Sequence, residues 1–371
     1  MRANRVSVAV VAVVTTLACA ADERSTSLAT STANLRAAPT ISPQQSNTTN
    51  RIIGVSPVDA NVVWASGSNG TYLLTTDGGQ HWRTRTLPGA ETLGLRDVEG
   101  VTDRIAYILS IGSGTDSRIY KTEDGGDTWT MQAQNTDPNG FWDCFAFWTP
   151  RRAILMADSV DGRFPIHRTT DGTHWQDIGD RLPPAQPGES AFAASGTCAA
   201  VQGERNGWLG TGGSAIARVI ATRDGGNSWT AYAAPIPGGP TSGVASIDFR
   251  NPRHGILGGG DVVASTVPQP NVARSNDGGR TWTLTTPTPF PGAVYGLTYT
   301  RNQRGDDDES EETTNARTVV ATGPSGAAFT TNEGDAWTLL PGITNCWGVA
   351  FANDRTGWLV CGAGRIFRID F

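Results

Sequence analysis

Thr122-Glu-Asp124-Gly-Gly-Asp-Thr-Trp129 is the stretch on which the reading of this chain turns. It returns in full at Thr75–Trp82 (TTDGGQHW), Thr222–Trp229 (TRDGGNSW) and Ser275–Trp282 (SNDGGRTW). It returns altered at Thr330–Trp337 (TTNEGDAW), where Asn332 replaces the aspartate. At Thr169–Trp175 (TTDGTHW) one residue is missing between Asp171 and Trp175. The six tryptophans, Trp82, Trp129, Trp175, Trp229, Trp282 and Trp337, stand 47, 46, 54, 53 and 55 residues apart. A period near fifty marks a repeat architecture whose units bury their apolar faces only against one another.

The chemistry of the unit is that of a hairpin. An aspartate (Asp77, Asp124, Asp171, Asp224, Asp277) followed by glycine suits a tight turn, because the carboxylate accepts from turn amides and glycine takes positive φ freely. The tryptophan then anchors the next strand with a large apolar surface. Around it, residues 51–86 read as four strands: Ile52–Pro57, Val62–Gly67, Thr71–Thr75 and Trp82–Leu87. Residues 94–134, 141–178, 191–232, 242–285 and 293–340 follow the same order. Three strands remain at the end, Trp347–Phe351, Gly357–Cys361 and Arg365–Ile369. A segment ahead of residue 51, around Leu35–Ile41, is expected to supply the fourth. The expected fold is all-β: a seven-bladed β-propeller of four-stranded antiparallel blades, residues 51–371, whose last blade is closed by an N-terminal strand.

The N-terminus reads as a targeting segment. Met1–Arg5 is basic, Val6–Leu17 is an apolar run of twelve, and Ala18-Cys19-Ala20 offers a signal-peptidase site. Leu17-Ala18-Cys19 also resembles the end of a lipobox, which would make Cys19 a lipidated terminus. Residues 1–20 are therefore read as a signal peptide and residues 21–50, rich in Ser, Thr, Ala and Pro, as a disordered tether. The expected location is periplasmic or extracellular.

Export permits disulfides. Cys346 and Cys361 flank a hairpin centred near Asn353, and Cys144 and Cys198 fall in corresponding early strands of consecutive repeats. Each pair is read either as a bridge or as buried free thiols.

The chain carries a net charge of −6, against a nucleic-acid footprint. No CxxC, Cys/His metal spacing, nucleotide fingerprint or serine-hydrolase elbow occurs, so neither a cofactor nor a metal is expected. His81, His167, His174 and His254 pair with no evident nucleophile. Arg304–Thr314 (RGDDDESEETT) lacks the spacing of a calcium loop and reads as a solvated insertion. Pro183–Ser190 reads as a surface connector.

In a propeller, the loops that enter the innermost strands and those joining second to third strands gather at one end of the central channel. The candidate binding residues there are Arg96, Trp142, Asp143, Asp158, Asp161, Arg163 and Glu189, with Asp97 beside them. The loop Asp158–Arg163, two acids and an arginine around a glycine, is the most suggestive stretch; a cation, a sugar or a basic peptide would suit it.

The repeat motif resembles the Asp-box, or BNR repeat, of sialidase-like propellers. There it is a folding device remote from any active site. A second signature precedes a strand at Thr149-Pro-Arg-Arg-Ala-Ile-Leu, Gly203-Glu-Arg-Asn-Gly-Trp-Leu, Asn251-Pro-Arg-His-Gly-Ile-Leu and Asn353-Asp-Arg-Thr-Gly-Trp-Leu. Together the two signatures resemble the photosystem II stability/assembly-factor-like propellers of bacteria and plastids, over residues 51–371. The resemblance implies a non-enzymatic platform that binds a membrane-protein precursor. Some relatives carry the label oxidoreductase, which no motif here supports. The reading is thus an exported monomeric scaffold for a protein partner, such as a membrane complex. The runner-up is a glycan-binding or glycoside-hydrolysing propeller of sialidase or xyloglucanase type, working through carboxylates at the channel mouth; the early Arg-Ile-Pro signature of sialidases is absent.

Overall fold

The computed structural model describes residues 38–300 and 317–371. They form seven four-stranded antiparallel sheets, each running in chain order from an inner to an outer strand, except where the chain closes on itself. Blade one comprises Ile52–Pro57, Val63–Gly67, Thr71–Thr75 and Arg83–Thr86. Its second and third strands are buried throughout, while Arg83–Thr86 is largely exposed. That gradient follows from stacking: a blade's middle strands are covered on both faces by neighbours, so even Ser66, Thr71 and Thr75 are buried there.

Blade seven combines Cys346–Phe351, Thr356–Cys361 and Ile366–Asp370 with Thr40–Gln44 as its outer strand. The register runs from Thr40 opposite Asp370 to Gln44 opposite Ile366. The closing strand thus lies a few residues later than Leu35–Ile41, and the propeller takes in residues ahead of position 51. Gln44 fastens the seam: its Oε1 accepts from the indoles of Trp82 (3.0 Å) and Trp358 (3.2 Å), and its Nε2 donates to the Gly78 carbonyl at 2.8 Å. The expected signal peptide, Cys19, most of the expected tether and the acidic insertion lie outside the described residues.

Each Asp-Gly-Gly turn is built as its chemistry requires. Thr75 Oγ1 donates to Asp77 Oδ1 at 2.8 Å and accepts from the Gly79 amide at 2.9 Å; Asp77 Oδ1 also accepts from the His81 amide at 2.9 Å. Gly78 and Gly79 sit at φ 72° and 87°. The His81 amide and imidazole hold the Asp77 carboxyl down at about 2, and the hydroxyl and amide of Thr128 do the same for Asp124. The turns also dock blades together. The Tyr72 hydroxyl donates to the Gly126 carbonyl of the next blade at 2.6 Å, Tyr107 to Gly172 at 3.0 Å, and the Trp208 indole to Gly278 at 2.8 Å. A Cβ on Gly126 would come within 2.8 Å of the Tyr72 ring, which is why glycine is needed there.

The sixth turn departs from this plan. Asn332 keeps the turn bonds, accepting from the Ala336 amide at 2.9 Å, but Glu333 replaces the first glycine at φ 55°. Its carboxylate is sealed and accepts from Arg250 Nε (2.7 Å), Arg317 Nε (3.1 Å) and the Tyr299 hydroxyl (3.1 Å).

Both cysteine pairs are disulfides. Cys144–Cys198 ties blade three to blade four, and Cys346–Cys361 joins directly opposed residues on two strands of blade seven. Blade four opens late: its inner strand is Ala199–Gln202, so the connector from Pro183 runs on to Cys198. At the far ends of the blades, His81 and His174 are exposed side chains bonded to Asp77 and Asp171.

Candidate functional site at the channel mouth

Five of the seven inner strands carry a β-bulge near the end at which the chain enters them. The register skips one residue between Ile52 and Gly54, Leu95 and Asp97, Trp142 and Cys144, Val244 and Ser246, and Cys346 and Gly348. The skipped residues are Ile53, Arg96, Asp143, Ala245 and Trp347. A bulge re-aims its residue out of the ladder. Here four of the re-aimed side chains, Arg96, Asp143, Ala245 and Trp347, come together. Arg96 of blade two lies over the Trp347 ring of blade seven at 5.6 Å and donates to the Ala194 carbonyl ahead of blade four at 3.3 Å. Ala245, Ala194 and Tyr295 form one apolar cluster with Trp347 and Phe192.

Two guanidiniums share the Trp347 ring, that of Arg51 at 4.5 Å and that of Arg96. Tyr295 packs against the same indole at 5.0 Å and donates its hydroxyl to the Val262 carbonyl at 2.7 Å. Burial, reinforced by the Arg51 charge, pushes the Arg96 guanidinium down to about 10. Its Nε has no hydrogen-bond partner.

The acidic side of the mouth belongs to blade three. Asp143 is only 1% exposed, and its Oδ2 has no partner. It lies within hydrogen-bonding reach of Asp158, whose Oδ1 accepts from the Ala191 amide at 2.9 Å. Burial and the neighbouring Asp158 hold Asp143 well above the usual carboxylate range, and burial raises Asp158 to about 6. Below the mouth, the channel narrows to a cavity of about 130 Å³ lined by Asp97, Phe145, Asp248 and Leu297, among others. Asp97 is committed there to the amides of Val98 (2.8 Å) and Phe145 (2.9 Å), clamping blade two to blade three.

Of the residues expected at this end, Arg96, Asp143 and Asp158 are brought together. Trp142 is buried behind them with its ring 5.0 Å from His167. Asp161 occupies a loop tip at φ 51° and is exposed. Arg163 turns away to pair with Asp177 (2.8 Å) and Asp180 (2.7 Å). Glu189 is sealed, bonded to Arg218 Nε at 2.7 Å, Thr211 Oγ1 at 2.6 Å and the Gln186 amide at 2.8 Å, so it anchors the connector instead of facing the channel. The expected loop site at Asp158–Arg163 is therefore split between the mouth and the outer rim.

The sequence reading missed Arg51, Tyr295 and Trp347. The signal was present: Ile53, Arg96, Asp143, Ala245 and Trp347 each precede a small or polar residue and then an apolar one, as in Arg96-Asp-Val and Trp347-Gly-Val. Among the described residues, no group of three or more His, Cys, Asp or Glu is placed to hold a metal ion.

No protein-family model matches the chain, and no curated protein matches it. Solved structures do. YCF48 bound to D1 peptide aligns with a TM-score of 0.63 at 16% identity, covering 89% of this chain and 97% of that one. YCF48 from Cyanidioschyzon merolae aligns at 0.62 and 14% identity, covering 89% and 98%. A catalytically inactive virginiamycin B lyase from Staphylococcus aureus aligns at 0.57 and 13% identity, covering 90% and 99%. At such identities the likeness shows the fold, and the fold is that of the YCF48 photosystem II assembly-factor propellers that the repeats resemble.

Proposed function

We propose that this chain is an exported, non-enzymatic propeller that binds a protein partner at the channel mouth and serves as an assembly scaffold in the cell envelope. The observation that supports it most is the pairing of Arg51 and Arg96 on one indole beside Tyr295. Arginine and aromatic side chains gathered in a partly desolvated cluster are the composition of protein-interface hot spots. A fold shared with YCF48, one structure of which holds a D1 peptide, agrees with that reading. The basic leader, the apolar run and Cys19 support export with a lipid anchor, and an envelope membrane complex is the partner we favour.

Glycoside hydrolysis needs two carboxyl groups flanking a substrate cleft. Here Asp143 is sealed and Asp158 alone is reachable, so the glycan reading has less to work with.

Affinity capture from envelope membranes tests the proposal. The wild-type chain should recover one membrane complex reproducibly, and an Arg51→Glu/Arg96→Glu variant of unchanged melting temperature should lose it. Recovery that survives the double reversal would place the binding surface elsewhere.

A further inference from the structure

In three of the Asp-Gly-Gly turns the sixth residue of the motif meets arginines of the preceding blade. In two of them that residue is an aspartate. Asp127 pairs with Arg85 Nη1 at 2.7 Å and with Arg83 Nη1 at 3.6 Å. Asp335 pairs with Arg274 Nη1 at 2.7 Å. In the turn of blade four the same position is Asn227. Arg168 stands where Arg274 stands, one residue ahead of the Thr or Ser that opens the motif, and its Nη1 donates to Asn227 Oδ1 at 3.0 Å. The contact is kept and its negative charge is gone.

Three arginines of blade three gather on this neutral turn. Arg181, just beyond the blade's outer strand, donates through Nη1 to the same Asn227 oxygen at 3.2 Å and to the Gly226 carbonyl at 3.4 Å. Arg168 Nη1 also donates to the Gly225 carbonyl at 3.0 Å. Arg152 Nη2 lies 3.0 Å from where a Cβ on Gly225 would stand, and donates to the Glu204 carbonyl at 3.0 Å. Asn227 Nδ2 donates to the Asp224 carbonyl at 2.7 Å, which keeps the amide oxygen turned toward the arginines. Asp224 spends its carboxylate on the hydroxyls of Thr222 and Ser228 and the amides of Asn227 and Ser228. Among the described residues, no carboxylate forms an ion pair with Arg152, Arg168 or Arg181. Burial, then the charges of Arg181 and Arg152, lower the Arg168 guanidinium from its usual value, with Asp224 acting the other way.

We propose that this seam between blades three and four binds a phosphate-type oxyanion, held by Arg152, Arg168 and Arg181. A single carboxylate answers one arginine at Asp335 and two at Asp127, whereas three guanidiniums favour a dianion. Tetrahedral phosphate supplies that charge and enough acceptor oxygens for several forked donors. The carbonyls and the Asn227 oxygen hold the guanidiniums in place without neutralising them, and each guanidinium keeps further N–H groups to offer. Arg181 and Asn227 are exposed, so an anion reaches the cluster from solvent. The turns joining third to fourth strands lie at the opposite ends of the blades from the channel mouth. The site is therefore separate from the Arg51–Arg96–Trp347 cluster and independent of what binds there.

Melting of the intact folded protein tests the proposal, with inorganic phosphate as probe at about pH 7.5 and constant ionic strength, since salt screens exposed charges. Phosphate at about ten times its half-saturating concentration should raise the wild-type melting temperature by about 2 °C. Asn227→Asp gives this turn the carboxylate that Asp127 and Asp335 carry in theirs, so it should fold. It should melt higher than the wild type without phosphate and lose the phosphate-dependent rise. Arg181→Gln, at an exposed position, should keep the fold and need about tenfold more phosphate, the worth of a hydrogen bond to a charged group. No rise in the wild type, or an equal rise in Asn227→Asp, overturns the proposal. Flotation with phosphatidylcholine vesicles containing phosphatidic acid separates the sources of the anion. Co-flotation lost in Asn227→Asp assigns a lipid-borne phosphate, and a phosphate-dependent rise without co-flotation assigns a soluble one.

Discussion

Arg250 and Glu333 form an ion pair at 2.7 Å with side chains 6% and 3% exposed, and this pair takes over a position that glycine holds in four of the other turns. Glu333 belongs to the sixth turn, Arg250 to the end of blade five's inner strand, and Tyr299 and Arg317 complete the cluster. A left-handed glutamate is a local cost that the inter-blade bonds offset.

Restoring the repeat consensus with Glu333→Gly should therefore destabilise the protein, although it relieves backbone strain. It leaves Arg250 buried and unpaired, a change that costs about 3–5 kcal/mol. Urea unfolding monitored by tryptophan fluorescence checks this; an unchanged or higher midpoint would contradict it.

The seam of the ring makes a second prediction. Gln44 satisfies two indoles and a carbonyl of two blades. Gln44→Ala should cost about 1–3 kcal/mol, the penalty for orphaned buried donors. The same change should raise hydrogen exchange in Ile366–Asp370, the strand on which Thr40–Gln44 lies.

The disulfides should differ in worth. Cys144–Cys198 spans 54 residues and Cys346–Cys361 spans 15. The loop-entropy account gives about 4 kcal/mol for the longer loop and about 3 for the shorter. Paired Cys→Ala variants, compared by chemical denaturation under oxidising conditions, should show the Cys144/Cys198 variant as the weaker.

Stability should peak near about pH 4. The turn carboxylates Asp77, Asp124 and Asp224 are held at about 2, so their contribution is present above their unfolded range and is lost as pH falls through 2. Asp97, Asp143 and Asp158 are raised, so the folded state keeps protons that the unfolded chain releases, and stability declines as pH rises from about 4 through 6. His167, lowered by burial, opposes that decline in part. Melting temperatures from about pH 2 to 8 check the profile, and Asp158→Asn should flatten its limb between about 4 and 6.

Much of this fold was legible because its punctuation is chemical. Asp77-Gly-Gly and its copies name their turn, and the tryptophans give the period, so blades one to six and their order follow from spacing. The site was legible only in part. Position along the chain placed Arg96, Asp143 and Asp158 at one end of the channel, but Arg163 and Glu189 share that end and are consumed by Asp177, Asp180 and Arg218. Such pairings depend on three-dimensional neighbours that no local pattern encodes. Arg51 and Trp347, some three hundred residues apart, meet only because the ring closes.

Site-specific photo-crosslinking in intact cells tests the central claim most directly. A photoreactive phenylalanine analogue at Phe192, half-buried in the apolar cluster around Trp347, and at Met131, on an outer strand and 49% exposed, samples the two surfaces. The account predicts one discrete protein adduct from Phe192 and none from Met131. Adducts from Met131 alone, or none from Phe192 while the protein remains folded and abundant, would contradict it.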